Sequence, residues 1–236
     1  MRPRTVSEVL AVAAAEVVSP DHDLTGSLAA LLSGAVDALP ADAAAVLVRS
    51  PGGDLEVLAS TSHRATDLEM YQVQVDEGPC VDALRGGVAV EALGPDAIVD
   101  RWPVAGPAVA ASGYATVHAT PLRWRGETFG ALNVFRVAAS ALGQPGVAAC
   151  RALADAATVL LVTNGRFEPD HLAQSLEEAL EARAVVEQAK GALAHARGLD
   201  LAGAFDALLE LAAQEDMGLG QVAQRVMARA RAGTLR

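Results

Sequence analysis

Five cations at two spacings carry the clearest chemistry in this sequence. Arg183, Lys190 and Arg197 stand seven apart, and Arg225 and Arg229 stand four apart on what reads as a later helix. Residues at those spacings line one face of a helix. A row of guanidinium and ammonium groups is suited to a phosphate backbone, through charge and forked hydrogen bonding. Gly191 directly follows Lys190, and His195 lies one turn on. A mid-helix glycine costs about 1 kcal/mol against alanine. Its presence therefore predicts a close approach to the backbone, either by a packed helix or by a nucleic acid. A plainer account of the basic row is also available. Glu187 stands four residues from Arg183 and three from Lys190, and such pairs on a solvated helix contribute about 0.2–0.5 kcal/mol each.

A second set of residues could form a pocket. Glu77-Gly78-Pro79-Cys80 reads as a loop entering a helix, with Pro79 in its first turn. Cys80 would then sit at a helix N-terminus, where a thiol pKa falls. It is either a redox-sensing or ligand-contacting cysteine, or a small buried hydrophobe. Tyr71, Gln72, Trp102, His118 and Asn133 are the other candidates to line a pocket with Glu77 and Cys80. Trp102, between Arg101 and Pro103, also reads as a loop anchor. His118 alternates with apolar neighbours, the setting of a core histidine. Cys80 and Cys150 are expected to be free thiols in a reducing compartment. With no CxxC pair, no metal site is expected. No phosphate-binding glycine loop, nucleophile elbow or HExxH appears, and the carboxylates are scattered. The expectation is a chain that is not an enzyme and carries no cofactor.

The elements that must position these groups follow from periodicity. Residues 172–197 are rich in Ala, Leu, Glu and Gln and contain no proline, so they predict one long helix. Leu172, Ala179, Val186 and Leu193 recur every seven residues, with Ser175, Ala182, Ala189 and Ala196 three positions after each. That pattern predicts a self-pairing seam of Leu172, Ala179, Ala182, Val186, Ala189 and Leu193, and hence a homodimer. Gly198 and Asp200 mark a stop and a restart. Two further helices then run to about Glu215 and from Gln221 to about Arg231. Before the long helix, the pattern predicts helices over 5–18 and 24–39 and strands over 43–49 and 55–61. A helix and loop (63–74), a short strand (88–91), an extended piece (97–100) and a helix (103–112) follow. Strands over 115–122 and 128–136 precede a helix over 147–162. The class is α+β: an antiparallel sheet with flanking helices in residues 1–165 (core about 20–164), a linker over 166–178 opening the connecting helix, and a three-helix unit over 172–236.

The net charge is −11, with −9 in residues 1–170 and only −2 in residues 171–236. The overall field opposes nucleic acid, but everything after Asp216 is free of acid, so a local basic surface is possible. No run of about 18 apolar residues lacks charge or proline, so no membrane span is expected. The N-terminus does not read as a signal peptide, and a cytoplasmic protein is expected.

Two resemblances sharpen this reading. Arg183-Ala-Val-Val-Glu187-Gln188-Ala189-Lys190-Gly191, Ala204-Phe205, Leu208, Ala212 and Val222-Ala223 resemble an ANTAR domain. That likeness implies a three-helix unit that binds paired stem-loops in nascent mRNA leaders and prevents terminator formation. Ala194 and Leu209 depart from the family, which usually has Met and Arg there, and the second change removes a charge. Asp67-Leu-Glu-Met-Tyr71-Gln72, Glu77-Gly78-Pro79-Cys80-Val81-Asp82-Ala83, Asp100-Arg101-Trp102-Pro103, Pro121-Leu122 and Gly130-Ala131-Leu132-Asn133-Val134 resemble a GAF sensor domain. That likeness implies a sheet with a small-molecule pocket on one face, roofed by residues 63–112. Together they imply a GAF sensor controlling an RNA-binding antitermination output through a dimerising helix. The rival from another class is a ligand- or redox-sensing protein-interaction module with weak or lost RNA binding.

Overall fold

The computed structural model describes residues 4–19, 23–163, 172–215 and 217–235. Residues 166–171, the first part of the predicted linker, lie outside the described residues. Helices α1 (Val6–Val17) and α2 (Leu24–Ala38) precede a hairpin of β1 (Ala43–Arg49) and β2 (Leu55–Ser60). Helices α3 (His63–Val75) and α4 (Pro79–Gly86), strand β3 (Val90–Leu93), and helices α5 (Pro95–Arg101) and α6 (Gly106–Ala111) follow. Strands β4 (Thr116–Trp124) and β5 (Glu127–Arg136) complete an antiparallel sheet of order β2-β1-β5-β4-β3. Helix α7 (Gly143–Val162) closes this part, and α8 (Leu172–Arg197), α9 (Leu201–Glu215) and α10 (Leu219–Arg231) form the rest.

The sheet is buried on both faces, as the apolar runs of β1 and β5 require. One face presents Ala44, Val46, Leu132 and Val134 to α1, α2 and α7. The other presents Ala45, Val117, Ala119 and Phe135 to a layer that includes Leu68, Ile98 and Trp102. The β4–β5 hairpin turns on Arg125 and Gly126, both at positive φ, the conformation a tight two-residue hairpin needs. Helix α7 is long and apolar enough to cross a membrane, but half of it is buried. Cys150, Leu153, Ala157 and Leu161 fill the core beneath it.

The piece over 97–100 is helical rather than extended. Gly94 turns the chain at φ 83° and Pro95 starts α5 in its first turn, where proline's fixed φ favours a helix. Strand β3 also runs two residues later than 88–91, because its register with β4 is set by Val90 opposite Ala119.

The predicted dimer seam is occupied within one chain. Leu176 and Ala179 pack into the core shared with α7, and Leu172 lies against that core. Val186, Ala189 and Leu193 are buried with Ala204, Leu208, Val222 and Val226 of α9 and α10. Ala182, between the two clusters, is half-buried. A heptad stripe and the inward stripe of a globular helix look alike over four turns. The chain's own helices cover this one, so the seam does not stand open for a second copy. Gly198 at φ 65° and the Asp200 carboxylate, which accepts from the Gly203 N–H at 2.7 Å, form the predicted break between α8 and α9.

Candidate nucleic-acid interface

The basic row on α8 is divided by its surroundings. Lys190 is only 6% exposed. Its Nζ donates to both carboxylate oxygens of Glu187 at 2.9 Å and lies 5.4 Å from the centroid of the Phe205 ring. Arg183 is half-buried. Desolvation lowers its pKa, opposed by Glu187 and by Glu56 of β2. Both cations line a cleft of about 210 Å³ between α8–α9 and the sheet-bearing part of the chain, whose wall includes Ser60, Ser62, His63 and Thr66. Nearby, the Asp23 carboxylate accepts the Leu219 N–H. A side chain from the start of α2 thus caps α10, whose own Gly218 offers no side chain. At the Leu219 end of the cleft, this cap bridges its two sides.

The other predicted contacts fall elsewhere. His195, Arg197 and Arg229 are exposed. Arg225 is half-buried; it ion-pairs with Glu215 and donates to the Met217 sulfur at 3.1 Å. The stretch after Asp216 is free of acid, but Glu215, the last residue of α9, reaches Arg225 from before it. Gly191 is exposed, and a Cβ there would meet nothing within 4 Å. A packed helix among the described residues is therefore not its reason.

The predicted pocket residues do not form one group. Gln72, Cys80 and Asn133 are buried together on the α3–α6 face of the sheet. The Cys80 thiol donates to Gln72 Oε1 at 3.4 Å, and Gln72 Nε2 donates to Glu69 at 3.3 Å. His118 pairs opposite Val134, whereas Asn133 pairs opposite Ala119, so alternation places His118 on the α7 face. Tyr71 sits at the rim, more than a third exposed. Glu77 ties down a loop: its Oε1 accepts the N–H groups of Val104 and Ala105 at 2.7 and 2.8 Å. Trp102 anchors its loop. Its indole N–H donates to Asp82 at 3.1 Å, and the Arg101 guanidinium, 4.7 Å from the ring centroid, reaches the same carboxylate.

Cys80 does stand in the first turn of α4, yet burial and the neighbouring Glu69 push its pKa well up rather than down. Desolvation outweighs the helix end. The only other cysteine, Cys150, is buried on the opposite face of the sheet, so the two thiols do not meet. Glu69 was not among the predicted residues. It is fully buried, and burial pushes its carboxyl from 4.5 to about 8, with contacts to Cys80 and Asn133 pulling partly back. The signal was present: Leu68 fixes the inward side of α3, and Glu69 and Gln72 fall beside it at one and four residues on.

The profile of the ANTAR domain matches residues 174–227. This segment is an ANTAR domain. It covers the greater part of α8, all of α9 and most of α10, so Lys190 and Arg183 belong to an RNA-binding antitermination output unit. No curated protein matches the chain. Among solved structures, the GAF domain of an Acinetobacter phosphoenolpyruvate-protein phosphotransferase superposes with a TM-score of 0.52 at 13% identity, covering 69% of this chain and 97% of that one. The phycoerythrobilin-bound GAF domain of a cyanobacterial phytochrome gives 0.51 at 14% identity, covering 74% and 97%. These likenesses show the GAF fold for the sheet-bearing part. The chain therefore joins a GAF-fold domain to an ANTAR domain, with the second docked on the edge of the first.

Proposed function

We propose that this chain regulates transcription antitermination by binding RNA, and that its GAF-fold domain senses a signal and holds the ANTAR domain closed until that signal arrives. The supporting observation is the cleft. Lys190 and Arg183 line it, and the same side chains cannot face the wall of β2 and α3 and an RNA backbone together. Exposed His195 and, on α10, Arg229, with Gly191 open on α8, belong to the part of the RNA face exposed in the closed state. Opening adds Arg183 and Lys190. The target is a pair of stem-loops in a nascent mRNA leader, so the acting species is a homodimer in the cytoplasm. Because Val186, Ala189 and Leu193 are core within the ANTAR domain, pairing uses the first half of α8, from Leu172 to Ala182, once it leaves the sensor core.

A gel-shift titration of the full chain with a two-hairpin RNA tests this reading. Lys190→Glu should weaken binding at least tenfold, and binding should fall steeply with salt. Undiminished affinity in that variant sinks the assigned face. A second reading rests on Leu201 and Leu209, exposed two turns apart on α9: a protein-interaction module with RNA binding lost. RNA affinity indifferent to both salt and Lys190 favours it.

A further inference from the structure

We infer that the GAF-fold domain carries a site for a small organic anion, bearing a carboxylate or phosphate group, at the edge of the sheet where β4 passes under α7. A cavity of about 290 Å³ lies there. It exists because β3 is short. The ladder between β3 and β4 ends at Val90 opposite Ala119, so from Thr120 to Arg123 the backbone has no ladder partner on that side; Gly87, Val88 and Ala89 pass beside it and α7 roofs the gap.

Two buried polar side chains in the cavity lining have no partner. His118 is 3% exposed and neither ring nitrogen makes a hydrogen bond; Thr120 is 2% exposed and its hydroxyl makes none. Buried polar groups are almost always paired. Glu91 does not settle His118: its Oε1 stands 3.7 Å from Nδ1 and instead accepts the Leu142 N–H at 3.2 Å. A hydroxyl and an imidazole ring, both without a hydrogen-bond partner, thus stand just behind the cavity wall.

The charge of the lining names the ligand. Arg123 and Arg151 line the cavity and no carboxylate does, in a chain whose net charge is −11. Arg151 is shared with Asp155 at 2.8 Å, one turn along α7. Arg123 reaches across to Gly87, where a Cβ would come within 2.9 Å of its guanidinium; the glycine leaves room for that side chain at the mouth. Pro121 and Val147 supply apolar wall, which suits an organic body attached to the anionic group. The site shares no lining residue with the Glu69–Gln72–Cys80 cluster or with the RNA face.

Calorimetric titration of the full chain with inorganic phosphate and, separately, with succinate, at ionic strength matched by sodium chloride, tests the site. At least one probe should bind saturably, one per chain. The double variant Arg123→Ala, Arg151→Ala changes two surface residues and should bind about tenfold more weakly with an unchanged circular dichroism spectrum. Thr120→Val keeps the shape, removes the hydroxyl, and should weaken binding several-fold. Tighter phosphate binding assigns a phosphorylated ligand, and tighter succinate binding a carboxylate. Absence of saturable binding by both probes, or wild-type affinity in both variants, overturns the assignment.

Discussion

The two domains bury charge in opposite ways. In the ANTAR domain, the Lys190 ammonium is almost fully covered but is met by Glu187 and the Phe205 ring. In the GAF-fold domain, Glu69 is fully covered with no cation beside it, and one carboxyl oxygen has no partner at all. Where a countercharge is at hand, burial is met by pairing. Where none is, burial pushes the carboxyl up to about 8, and the group keeps its proton. The first arrangement borders a cleft between the domains. The second sits in packed core and cannot move without disturbing α3 and α4.

The largest expected effect tests the unpaired acid. Between its unfolded value near 4.5 and its folded value near 8, Glu69 holds a proton in the folded chain that the unfolded chain has lost. Stability should be full below pH 4.5 and fall as pH rises through 8. Glu69→Gln keeps the shape without the charge. It should raise stability by a few kcal/mol at pH 8–9 and flatten the pH profile in chemical denaturation; an unchanged profile would show that Glu69 is hydrated in solution.

The paired cation should respond next. Glu187→Ala leaves Lys190 covered without its partner, at a cost of about 1–3 kcal/mol to the closed arrangement. Because Lys190 is better solvated when the cleft opens, this variant should also bind the two-hairpin RNA more tightly. Loss of stability with no change in RNA affinity would separate the ion pair from the cleft. Asp23→Ala removes the cap that joins the domains. A melting experiment should register about 1 kcal/mol, and proteolysis between residues 163 and 172 should quicken if the cap holds the domains together.

Gly191→Ala should have the smallest effect on the fold, and of the opposite sign. A methyl group there meets nothing, so α8 should gain up to about 1 kcal/mol. RNA affinity should fall if the backbone at Gly191 is approached by RNA. A more stable variant with undiminished RNA binding would leave the glycine without a role on that face.

Much of this architecture was legible from the chain alone. The alternation of β4, the apolar run of β5, the helix break at Gly198-Leu199-Asp200 and the spacing of the ANTAR residues are local patterns, and each one sets its element without help from the rest. Trp102 as an anchor was legible for the same reason. The pocket set was not. His118 and Asn133 looked equivalent as polar residues in strands, and only the register of β4 on β5 places them on opposite faces. Glu69 was passed over because a carboxylate on a helix ordinarily faces water.

What the amino-acid order determined by itself was the set of elements and the chemical kind of each face: an apolar stripe and a basic row on α8, a thiol at the head of α4, two donors on one strand. Which neighbour each face meets was decided only in three dimensions. The stripe on α8 is the same whether a second copy, α10 or α7 covers it, because hydrophobic attraction has no direction. The basic row is the same whether it faces solvent or the wall of β2. Local propensity specifies a surface, and the packing of segments far apart in sequence selects its partner.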